Sequence, residues 1–149
     1  RSIVTSVVDD FNNIYVEKRG IKIDLIIDES IKDYKILGIE NRIEQILANL
    51  LDNAISFSDD NKDIIVKVTN SDKGKVNIDI LDEGEGFKEK DTNKVFKRFY
   101  SNRPNKFGQH SGLGLNIVKN LVDLHNGSIK ASNRIDKKGA RMEVIFPMV

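Results

Sequence analysis

Between Ile39 and Phe57 apolar residues recur at helical spacing, and this stretch constrains the fold more than any other part of the chain. Ile43, Ile46, Leu47, Leu50, Leu51 and Ala54 fall on one side, while Gln45, Asn49, Asn53 and Ser56 form a polar flank beside them. A helix built this way has to lay its apolar side on another element. Two β-rich runs follow at once, Asp63 to Asn70 and Lys75 to Leu81, separated by Ser71-Asp72-Lys73-Gly74, a turn-rich tetrapeptide that predicts a hairpin. The two asparagines lie one helical turn apart on the border of the buried face, a suitable place to hold a ligand.

The remaining elements complete an α+β pattern. Ser2 to Lys18 reads as an amphipathic helix ended at Arg19-Gly20. A strand pair is expected next, Ile21 to Ile27 and the short Lys35 to Gly38. Asp82 to Ser111 is polar and punctuated by glycine, with a short helical candidate near Asp91 to Arg98, and so long a connection is usually functional or mobile. Helical periodicity returns from Gly112 to His125 and is stopped by Asn126-Gly127. A final hairpin, Ser128 to Asn133 and Ala140 to Phe146, turns through Asp136-Lys-Lys-Gly139. The order predicts a mostly antiparallel sheet covered by helices on one face, in a single domain spanning the 149 residues.

Composition removes several classes of function. With 24 basic and 23 acidic residues the net charge is +1, so no bulk field draws nucleic acid or an anionic membrane. Cysteine is absent, which excludes disulfides, thiolate metal ligands and a cysteine nucleophile. No apolar run approaches the roughly 20 residues that cross a bilayer. A start at Arg1 rather than Met reads as a piece of a longer protein.

Three short motifs carry chemistry. Asn53 offers an amide carbonyl, an oxygen ligand for a hard cation such as Mg²⁺ that adds no charge to repel a triphosphate. Asp82-Glu-Gly84-Glu-Gly86 follows a predicted strand. A carboxylate such as Asp82 can accept from an exocyclic amine like that of adenine, where guanine would present a repelling carbonyl, and Gly84 and Gly86 would let the backbone approach a base closely. Alone, such a Gly-x-Gly is usually an ordinary turn. Ser111-Gly112-Leu113-Gly114-Leu115 opens a helix whose free N–H groups and dipole suit phosphates, with Ser111 also able to cap it.

With the box Val95-Phe96-Lys97-Arg98-Phe99-Tyr100 added, the chain resembles the catalytic and ATP-binding domain, HATPase_c, of bacterial sensor histidine kinases, members of the superfamily of the GyrB, Hsp90 and MutL ATPases. The asparagine box, first glycine box, phenylalanine box and second glycine box stand in the family's order. Ala54 to Ser58, Phe99 to Pro104 and Phe107 to Gly112 are similar to the ChvG-type envelope sensors of alphaproteobacteria. The resemblance implies a Bergerat fold, a two-layer α/β sandwich with a mobile ATP lid. It also implies that ATP and Mg²⁺ bind here, with Asn53 the metal ligand. Asn49 stands where the superfamily's ATPases carry a water-activating glutamate, and an amide cannot act as a general base. Phe96 and Phe99 would anchor the segment between the glycine boxes, Arg98 would stabilise phosphoryl charge or form a surface ion pair, and Arg103, Lys106 and Gln109 of the lid could reach the phosphates or be merely solvated.

The implied activity is transfer of the γ-phosphoryl group to a histidine on a separate dimerisation domain, and from there to a response regulator. A monomeric cytoplasmic piece of a homodimeric inner-membrane sensor is the implied setting. His110 and His125 both lie outside any acceptor-type helix, so the chain should not modify itself. Two departures stand out: Ser56 and Phe57 replace the family's usual basic residue and tyrosine, and Gln109-His110 replaces a further glycine. The readings left open beside a kinase are a superfamily ATPase or anti-sigma-type serine kinase, and a non-catalytic nucleotide-sensing module.

Overall fold

The computed structural model describes residues 2–28, 40–70, 74–86 and 113–147. They form helix α1 (Ser2–Arg19), strand β1 (Lys22–Ile27), helix α2 (Glu40–Ser56), strands β2 (Asp63–Asn70) and β3 (Lys75–Leu81), helix α3 (Leu113–Leu124), and strands β4 (Ser128–Asn133) and β5 (Ala140–Pro147). The expected strand Lys35 to Gly38 and the helical candidate near Asp91 to Arg98 lie outside the described residues.

The five strands make one sheet in the order β1-β2-β3-β5-β4. β1 runs parallel to β2, and every other pairing is antiparallel. Register carries the alternation of each strand across the sheet: Val68, Ile78, Val144 and Ile129 form one cross-strand row, and Val66, Ile80, Met142 and Ala131 form the next. Both rows are buried in the same core as Val4, Val7 and Val8 of α1, the apolar stripe of α2, and Val118 and Val122 of α3. α2 packs against both α1 and α3, and its Leu50 is fully buried. The other sheet face is polar at its centre, where Arg141 bonds Asp79 at 3.1 Å and Glu143 at 2.7 Å, and the Asn77 amide donates to Glu143 at 2.9 Å.

Helix ends follow the backbone chemistry of their last residues. Gly20 sits at φ +65° and its N–H reaches Val16 O at 2.9 Å, a left-handed cap that stops α1. At the end of α3 the left-handed position falls to Asn126, φ +61°, with Asn126 N on Asp123 O and Gly127 N on Val122 O, the paired bonds of a Schellman motif. Gly127 has a different reason to be glycine. A Cβ there would lie 2.6 Å from Ile145 O, so the bare backbone lets α3 turn directly onto β5. Just past the last turn of α3, His125 Nδ1 lies 2.8 Å from Leu121 O, and its ring is edge-on to Phe146.

Candidate functional site

The helix period turns the flank of α2 as its sequence requires: Gln45 and Asn49 are half-buried, and Asn53, one turn on, is 6% exposed. Among the described residues the Asn53 Nδ2 finds no hydrogen-bond partner although it is buried. Buried amides rarely go unpaired, because the desolvated donor loses water without replacement. A ligand oxygen beside this amide would remove that deficit.

β3 is the middle strand of the sheet, and Asp82 is the residue that follows it, 2% exposed. Two main-chain amides hold its carboxylate, with Gly84 N and Ala140 N each 3.0 Å from Oδ1. The first is a local Asx-type turn; the second reaches across 58 residues to the start of β5. The main chain of Asp82 is bound as well, donating to Ala140 O at 3.0 Å. Gly84 and Gly86 are buried, but the described neighbours of Gly86 are protein: at φ +78°, a Cβ would stand 2.5 Å from Asn133 Oδ1 and 3.2 Å from Gly139 O.

Residues the sequence did not single out build the other side of this unit. Arg134, its side chain 2% exposed, sends Nη1 to Asp82 O at 3.2 Å and clasps Asp136 through Nε at 3.0 Å and Nη2 at 2.8 Å. Lys137 bonds Glu83 at 3.1 Å. The hydrogen bond from Arg134 holds the Asp136 carboxyl below its ordinary value. Glu83 is lowered chiefly by the hydrogen bond from Lys137, then by the Asp63 amide. The available signal was an arginine and an aspartate two residues apart before Gly139. Its partner, Asp82, is 52 residues away and no local period points to it.

α2 touches β3, which leads to Asp82, and packs on α3, whose first turn contains Leu113 and Gly114. Leu115 is half-buried and packs against the core. Phe96, Arg98, Phe99, Arg103, Lys106, Gln109, Ser111 and Gly112 lie outside the described residues. No cluster of three or more histidine, cysteine or acidic side chains suited to a metal occurs among the described residues.

Comparison with known proteins gives the same frame. The model of the family "Histidine kinase-, DNA gyrase B-, and HSP90-like ATPase" matches residues 38–149. The sensor protein ChvG of Agrobacterium fabrum is 32% identical over 97% of this chain and 26% of its own length. ChvG of Rhizobium meliloti is 34% identical over 92% of the chain and 25% of its own length. The chain thus spans about a quarter of the length of these relatives. The mycobacterial sensor histidine kinase MprB superposes with a TM-score of 0.79 at 25% identity, covering 96% of this chain and 93% of that one. The expected fold, α+β with a mixed sheet, is the one observed. Matched over most of its length by a family model, and over nearly all of it by relatives above 30% identity, the chain belongs to the histidine kinase-, DNA gyrase B- and HSP90-like ATPases, and within them to the catalytic domains of sensor histidine kinases.

Proposed function

We propose that this domain binds ATP with Mg²⁺ and presents the γ-phosphate to a histidine on a separate dimerisation domain of the same protein, from which the phosphoryl group passes to an aspartate of a response regulator. The observation that carries the reading is the buried amide of Asn53 with its Nδ2 unpaired among the described residues. Its carbonyl suits a hard cation, and its N–H suits an anionic oxygen or a coordinated water. Mg²⁺, when bound, neutralises charge on the β- and γ-phosphates.

The chain's own residues divide the rest of the work. Asp82 accepts from the adenine amine. The N–H groups of the second glycine box, Ser111 through Leu115, receive the phosphates, and Arg98, Arg103, Lys106 and Gln109 add donors, while Phe96 and Phe99 anchor the intervening segment. Asn49 supports the kinase reading over the ATPase one, since it orients a ligand or water but cannot take a proton from it. With Ser56 in place of a basic residue beside this helix, the cationic share falls to Arg98 and the lid. Catalysis then consists of alignment and charge neutralisation.

No helix of the described residues is long and apolar enough to cross a membrane. The setting we propose is a cytoplasmic catalytic unit, monomeric by itself, within a homodimeric sensor anchored in the bacterial inner membrane. The deciding experiment mixes the domain with its dimerisation domain and γ-labelled ATP. Acid-labile phosphohistidine on the partner is expected; none, with ATP still bound, overturns kinase competence. Sustained ATP hydrolysis by the isolated domain would favour an ATPase instead.

A further inference from the structure

The orientation of Asp82 is not set by its own strand alone. Its carboxylate and main chain are both bonded to Ala140, and Ala140 is delivered by the turn between β4 and β5. Arg134 closes that turn, its N–H on Gly139 O at 2.9 Å. Its guanidinium points inward, to the carbonyl of Asp82.

A surface turn needs no buried arginine. Taking a guanidinium out of water is costly unless it is paired, and here each of its three nitrogens has a partner, in the Asp82 carbonyl or one of the oxygens of Asp136. The planar fork matches both partners at once, since one edge takes the Asp136 carboxylate bidentately while Nη1 reaches the carbonyl. Gly139 brings the turn so close that a Cβ would fall 1.9 Å from the Asp82 carbonyl oxygen, and one on Gly86 would stand 2.5 Å from the Asn133 side chain. The turn and the first glycine box therefore interlock.

We infer that Arg134, held by Asp136, is a positioning residue that sets purine selectivity by fixing the carboxylate of Asp82. The inference rests on the reading of Asp82 as the acceptor for the adenine amine. A loosened Arg134 lets Ala140 N and the Asp82 main chain drift, so the carboxylate ceases to discriminate an amine from a carbonyl at the same ring position.

Calorimetry separates this role from simple support of the turn. Non-hydrolysable triphosphate analogues of adenosine and inosine are titrated into the wild-type domain and into R134Q, D136N and D82N. R134Q is expected to weaken the adenosine analogue about tenfold while leaving the inosine analogue within about twofold, so that their ratio collapses. D136N should lower the ratio partway. Equal weakening of both analogues, or an unchanged ratio, would overturn the inference. If R134Q does not fold, D136N decides, because it keeps the guanidinium and loosens only its clasp: an unchanged ratio there refutes the role. D82N distinguishes the two levels. Adenine preference that survives D82N defeats the reading of Asp82 itself, whereas preference lost in D82N but kept in R134Q and D136N defeats only the positioning role.

Discussion

Asp82 is a buried carboxylate held by the main chain, and in the proposed reading it also accepts from the base. Its Oδ1 is spent on two main-chain amides, which fix the plane of the group and with it the direction in which it can accept from a base. Asp82→Asn should weaken adenine nucleotides by about 1–3 kcal/mol, since the amide oxygen stays with the two main-chain amides and an NH2 donor then faces the ligand's desolvated amine, and titration calorimetry reads this directly. Acid should loosen the neighbouring turn. Glu83 and Asp136 both have folded values below their ordinary 4.5 and 3.8, so their contribution is complete above those values and is lost as pH falls through the lower folded ones. Thermal melting should therefore show a fall in stability below about pH 4.5, and Lys137→Met, which removes the chief cause at Glu83, should flatten the first part of it. An unchanged acid profile in that variant would mean that the Lys137 contact has no weight in solution. At this scale the sequence was informative wherever the chemistry is local. The glycines after Asp82 mark a turn by spacing, but the role of Gly86 against Asn133 depends on a strand placed by the whole sheet.

Among the elements, α2 is held at its end by a residue from α1. Arg19 donates Nη1 to Ile55 O at 2.8 Å, Nη2 to Ser58 O at 2.6 Å and Nε to Asp60 at 2.7 Å, so a cation meets the carbonyl-rich terminus of the helix that carries Asn49 and Asn53. The same junction is closed by Asn61 N on Arg19 O, with Asn61 at φ +63° and its side chain beside Gly20. Arg19→Ala should cost about 2–3 kcal/mol in urea unfolding, because it strips partners from carbonyls at a helix end, and Arg19→Lys should recover only part, lacking the fork. A loss below about 0.5 kcal/mol would place this contact with ordinary surface ion pairs. The bounds of α1, α2, β2, β3 and β4 follow their sequence periods closely, since each has one apolar face and a glycine, asparagine or polar cluster at its end. The Arg19 clamp was not legible. An arginine before a glycine reads as the helix's own C-terminal cation, and only the packing of α1 on α2 reveals that it serves the next helix.

Across the whole molecule, register explains why the candidate residues stand where they do. Two apolar rows crossing β2, β3, β5 and β4 bury one face of the sheet beneath the helices, so β3 is central and Asp82 emerges at its end beside β5. The sequence predicted an α+β sheet covered by helices on one face because apolar alternation is clear in β2 with β3 and in β4 with β5. The order in which strands associate is non-local, and the insertion of β5 between β3 and β4, which brings the Arg134 turn to Asp82, could not be read from any single segment. In the proposed reading, Asn53 on α2 and Asp82 beyond β3 attend to two ends of one bound nucleotide. Solution NMR on the ¹⁵N-labelled domain tests it most directly, following the Asn53 side-chain amide together with the Gly84 and Ala140 backbone amides during titration with Mg²⁺ and a non-hydrolysable ATP analogue. All three signals are expected to shift along one binding isotherm, with the Asn53 shift alone depending on Mg²⁺. Saturable binding that leaves Asn53, or the Gly84 and Ala140 pair, unperturbed would contradict that reading.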